Sequence, residues 1–139
     1  MPTMLPLRES TAREATVRFR VPVAREAVEG ARRCVREVLA EWGISEREDL
    51  SYDIQLVLSE LLSNAIVHGS GPLSVTVQRD NDLFIVEVFD AHRDMPVESV
   101  SGPDDENKRG LAVVKAVAYS HGCERYPRGK RCWAVLRGR

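Results

Sequence analysis

The periodic part of the chain begins at Ala15. Ala15, Val17, Phe19 and Val21 alternate with Thr16, Arg18 and Arg20, the period of a half-buried strand, and Pro22 ends it. Residues 24–42 change to helical spacing, with Ala27, Ala31, Cys34, Val35, Val38 and Trp42 on one stripe and Gly43 as a stop. A second helix is expected from about Leu50 to His68, its stripe made of Ile54, Val57, Leu58, Leu61, Leu62 and Ala65. Leu73, Val75 and Val77 then alternate with Ser74, Thr76 and Gln78, and the turn at Arg79–Asp82 reverses the chain. The returning strand LFIVEVFD places Phe84, Val86, Val88 and Asp90 on one face. A carboxylate closing an apolar face is out of pattern. Residues 91–107 have no period, and so long a loop in a compact domain is usually functional or mobile. A third helix is expected from near Arg109 to His121–Gly122, with Leu111, Val114, Val117 and Ala118 inward. Two closing strands meet around Pro127–Gly129.

This order, β-α-α-β-β-α-β-β, predicts an α+β domain over residues 14–139, with residues 1–13 as a flexible tail. Strands adjacent in sequence and joined by short turns give a two-layer sandwich: a mixed, mostly antiparallel sheet covered by helices on one face. A chain of 139 residues fits one domain, and 43% hydrophobic residues is enough for a core without metals or disulfides. The formal charge of −1 argues against a direct nucleic-acid binder, which needs a basic surface to neutralise phosphates. No run approaches the roughly 20 apolar residues of a membrane span, and the N-terminal MPTMLPLRES is too short in apolar character for a signal-peptide core. Cys34, Cys123 and Cys132 form no Cys-x-x-Cys pair, and an odd count argues against a disulfide framework. The expectation is a reduced, cytoplasmic protein.

Three places carry candidate chemistry. In ELLSNAIVHG, Glu60, Asn64 and His68 recur at every fourth position and form a polar row beside an apolar one. Polar spacing of this kind commonly marks only a solvated helix face. Here Asn64 is a poor helix former in mid-helix, and its neighbours are apolar nearly all round, which points to a partly buried row. An amide oxygen suits Mg²⁺, which takes a few hard protein ligands and completes its shell from water and phosphate. A carboxylate one turn away can accept a proton from water or a substrate hydroxyl. Asp90 could accept a hydrogen bond from an exocyclic amine, although a strand-ending Asp is ordinary in itself. Lys108, Arg109 and Gly110 stand where a helix begins, a place suited to anions, as many loop-to-helix junctions are. A metal site of His68, His92 and His121 needs three residues that nothing in the sequence brings together.

Taken in order, these segments resemble the histidine-kinase-like ATPase superfamily, and within it the branch of small anti-sigma-factor serine/threonine kinases. ELLSNAIVHG is similar to that family's Asn-containing box, VFDAHRDMP to its adenine-binding Asp box, NKRGLAVVKAVA to the glycine box after the ATP lid, and GKRCWAVL to the closing strand. The resemblance covers about residues 15–138. It implies ATP and Mg²⁺ as cofactors, with Glu60 as catalytic base and Asn64 as the Mg²⁺ ligand through the nucleotide. It further implies that Asp90 contacts adenine and that His68, Lys108, Arg109 and Gly110 belong to the nucleotide site. Where the family usually carries glycine, this chain has His92, Asp94 and Lys108, and Arg131 stands where a Thr near the nucleotide is frequent.

Two functions follow as expectations. One is a protein kinase that phosphorylates an anti-sigma-factor antagonist and also holds a sigma factor. The other is a non-catalytic, ATP-responsive adaptor that switches between the same partners. Whether the chain forms a homodimer is left open by the sequence.

Overall fold

The computed structural model describes residues 7–10, 14–68, 71–91 and 112–138. The elements are β1 (Leu7–Ser10), β2 (Glu14–Val21), α1 (Ala27–Glu41), α2 (Asp49–His68), β3 (Leu73–Asp80), β4 (Leu83–Ala91), β5 (Ser120–Tyr126) and β6 (Gly129–Arg137), with residues 112–117 helical. They build one six-stranded sheet in the order β1-β2-β3-β4-β6-β5. The α+β architecture is the expected one, except that every recorded pairing is antiparallel rather than mixed.

Alternation divides the sheet into two faces. Val17 and Phe19, Val75 and Val77, Val86 and Val88, and Ala134 and Leu136 are all at most 2% exposed and form one wall of the core. Ala31, Val35, Val38 and Leu39 of α1, with Ile54, Val57, Leu58 and Leu62 of α2, close it from the other side. Burying such side chains contributes on the order of 1.5–3 kcal/mol each. α1 ends as its Gly43 foretold. Gly43 has φ +87°, its N–H donates to Ala40 O (3.0 Å), and Ile44 N–H donates to Leu39 O (2.8 Å). That double bond pattern caps the last carbonyls, and buried Ile44 lies over the same core as Leu39.

Three expectations need correction. Leu7–Ser10, read as part of a flexible tail, pairs with β2 as an edge strand; LRES has no alternation, so only the neighbouring edge organises it. The third helix ends at residue 117, and Ser120–Tyr126 is a strand. SHGCERY has no apolar alternation of its own, and its partner β6 supplies the template. Cys123 and Cys132 are disulfide-bonded, against the inference from an odd count. Count says nothing about register, and register sets these two opposite each other. Among the described residues, no helix is long and apolar enough to cross a membrane.

Candidate functional site

α2 lies over β4 and β6, and its C-terminal half overhangs the end of the sheet where β4 finishes and β6 begins. A cavity of about 340 Å³ opens there. Glu60, Asn64 and His68 all line it from α2. Val114 lines it from the helical residues 112–117, His121 and Cys123 from β5, and Lys130 and Cys132 from β6. The i, i+4, i+8 spacing thus brings three of the expected residues to one surface. Glu60 and Asn64 are half-buried, and among the described residues no hydrogen bond or ion pair engages either side chain. His68 is exposed at the helix C-terminus, where a cation is favoured.

Asp90 occupies the last inward position of β4 and is 5% exposed. It is not on the cavity surface. Its link to the cavity is Lys130, its cross-strand neighbour on β6. Burial holds the Lys130 ammonium below the usual lysine range, Arg125 adds repulsion, and the Asp90 charge opposes both. β6 starts this close to β4 because residue 129 is glycine. A Cβ there would stand 2.5 Å from the Asp90 carbonyl oxygen and 2.8 Å from the Phe89 ring.

Lys108, Arg109, Gly110 and His92 lie outside the described residues. Arg131 faces away from the cavity, on the open side of the sheet, where it pairs with Glu87 (3.1 Å) and Glu124 (3.1 Å) and stacks over Trp133. Attention to Arg131 therefore missed Lys130 beside it. The signal was present: counting back by twos from Leu136 through Ala134 and Cys132 puts Lys130 on the inward face. His68 and His121 share the cavity, yet among the described residues no group of three or more His, Cys, Asp or Glu side chains could hold a metal.

A larger cavity, about 700 Å³, lies at the N-terminal end of α2 and is lined by Asp49, Asp53, Arg79, Asp82 and Arg137 among others. It contains none of Glu60, Asn64, His68 or Asp90. Size alone would favour it; the chemistry favours the smaller one. The Asn64 and Glu60 oxygens and the Lys130 ammonium form a donor set that fits a magnesium-bound phosphate chain: hard oxygen for the metal, positive charge for the anion.

Comparison with curated proteins gives no match. The family model described as the histidine kinase-like ATPase domain matches residues 21–136, from the end of β2 to the end of β6, and so includes α2, Asp90 and Lys130. The chain belongs to the histidine kinase-like ATPase domain family, an ATP-binding fold.

Proposed function

We propose that this chain is an anti-sigma-factor-type regulator, a serine/threonine protein kinase that uses Mg-ATP to phosphorylate an anti-sigma-factor antagonist. The observation that carries the reading is the meeting of Glu60 and Asn64, one turn apart, with Lys130 on the wall of a single cavity. Asn64 offers its side-chain oxygen to Mg²⁺, and Lys130 offers charge to phosphate. Asp90, buried just behind the cavity wall, is assigned the exocyclic amine of adenine by its place in the family's Asp box rather than by the cavity lining. Glu60 takes the proton of the substrate hydroxyl as that oxygen becomes the nucleophile. When bound, ATP supplies the phosphoryl group. The nucleotide state and the phosphorylation of the antagonist then decide whether that protein or a sigma factor is held.

A second reading keeps the site and removes the transfer. His92, Asp94 and Lys108 in place of glycines favour an ATP-responsive adaptor, because glycine is the residue that lets backbone approach a phosphate.

Calorimetric titration of Mg-ATP into the wild type and Asn64→Ala tests the shared part. The wild type is expected to bind, and the variant to lose the Mg-dependent share of affinity while melting normally. Unchanged Mg-ATP affinity in a folded Asn64→Ala protein would remove Asn64 from the site. Incubation of the wild type with labelled ATP and a candidate antagonist separates the two readings: transferred label supports the kinase, and binding without transfer supports the adaptor.

A further inference from the structure

Cys123 of β5 and Cys132 of β6 are direct cross-strand partners, with Cα atoms 4.0 Å apart and their sulfurs bonded. Both line the cavity that holds Glu60, Asn64 and His68. The hairpin they join is already closed by its own turn and by a seven-pair ladder from Ser120↔Val135 to Tyr126↔Gly129. The bond therefore adds little to topology. What it fixes is the spacing of two side chains in the cavity wall. β5 is the edge of the sheet, and among the described residues no strand pairs with its far side to hold that spacing. The two cysteines also differ in access: Cys132 is 7% exposed, whereas Cys123 is an exposed residue.

We propose that Cys123 and Cys132 form a reversible dithiol–disulfide site that sets the shape of the cavity wall. Its oxidation state then controls ligand affinity; that the ligand is ATP rests on the function proposed above. Hydrogen peroxide is the oxidant. The Cys123 thiolate attacks a peroxide oxygen, the O–O bond breaks, and Cys123 becomes a sulfenic acid with release of water. The Cys132 thiolate attacks that sulfur, the S–O bond breaks, and a second water leaves. In sum two thiols and one hydrogen peroxide give one disulfide and two waters. A dithiol reductant reverses it by two exchanges, taking up the bond as its own disulfide. Unbonded sulfurs cannot stay at bonding distance, so reduction drives the two side chains apart, across from Asn64 and His68. The disulfide form is the tighter binder.

The experiment uses the whole chain, treated with hydrogen peroxide and then with a dithiol. Intact mass should show the loss and return of two hydrogens, and peptide mapping should find the Cys123–Cys132 link. The NMR signals of the Asn64 amide and the Trp133 indole should move with it, neither readout requiring nucleotide. Mg-ATP affinity should be about fivefold or more higher in the oxidised state, the low end for linked sites. Cys123→Ser and Cys132→Ser should each lose the response, and Cys34→Ser should keep it. The proposal is overturned if folded protein never forms the link, if the dithiol cannot reverse it, or if the Asn64 signal ignores it. Equal Mg-ATP affinity in the two states also overturns it. If neither state binds Mg-ATP, the nucleotide reading fails, and the mass and NMR signals still decide the redox site.

Discussion

Ser51, Gln55 and Ser59 of α2 recur at the same interval as Glu60, Asn64 and His68 further along it, and the fold uses the two rows differently. Gln55 and Asn64 are nine residues apart, about two and a half turns, so they face opposite sides of the helix. The two rows border the same apolar stripe from either flank. On one flank, Arg36 Nη1 donates to Gln55 Oε1 (2.9 Å), Gln55 Nε2 donates to Ser51 Oγ (3.1 Å), and Arg32 Nη1 donates to Ser59 Oγ (3.4 Å). Ser51 and Gln55 are buried there; α1 answers the Gln55 oxygen through Arg36, and the Gln55 amide in turn answers Ser51. On the other flank, among the described residues, no arginine or other side chain hydrogen-bonds Glu60 or Asn64, and the row faces a cavity. Equal spacing gave a strut on one side and a site on the other, and the neighbour made the difference.

Glu60→Gln is the largest expected break in that contrast. If the second row is catalytic, the change should leave Mg-ATP binding near normal and cut phosphate transfer to the antagonist by about 10²–10⁴-fold, the usual cost of losing a general base. Single-turnover transfer at saturating Mg-ATP reads it; transfer at the wild-type rate would put the chemistry on another residue.

Gln55→Ala and Asn64→Ala form a matched pair in stability. The first strips buried bonds from Arg36 and Ser51 and should cost about 2–3 kcal/mol in urea denaturation. The second removes a half-buried amide from mid-helix, where alanine is the better helix former, and should leave stability unchanged or raise it by a few tenths of a kcal/mol (~0.3). Equal losses at the two positions would mean that the second row is structural as well.

The smallest effect sharpens the first half of the helix. Burial raises the Asp53 carboxyl above its usual value of 3.8, and the charge of Asp49 raises it further. A carboxyl raised by folding is destabilising while ionised, so its cost is absent below the unfolded pKa and appears as pH rises through the folded one. Asp53→Asn should therefore stabilise the fold at neutral pH, by about 0.5 kcal/mol or less given how open the group is, and the gain should vanish towards pH 3. A gain that persists in acid would assign the effect to packing rather than charge.

Elements with strong internal periodicity were legible without coordinates. β2, β3, β4, α1 and α2 fall within a few residues of where alternation and helical spacing put them, because each carries enough apolar side chains in phase to declare its buried face. β1 was not legible, and β5 was legible only as a strand leading into the Pro127–Gly129 turn, its first residues being read as helix. Neither has a phase of its own, and both are edges whose shape is lent by β2 and β6. The row of Glu60, Asn64 and His68 was legible as a row, and its Asn in mid-helix marked it as unusual. The buried row of Ser51, Gln55 and Ser59 was missed because nothing local tells a polar face that meets water from one that meets arginines of another helix.

The sequence by itself determined the α+β order, the core faces and the residues that point to one side of α2, since all of these follow from local period and side-chain polarity. Only the tertiary structure decided that Lys130 stands opposite Asp90 at the cavity and that Cys123 meets Cys132. Each of those depends on strand register, and register is set by hydrogen bonds and packing between segments far apart in the chain, which no single segment encodes.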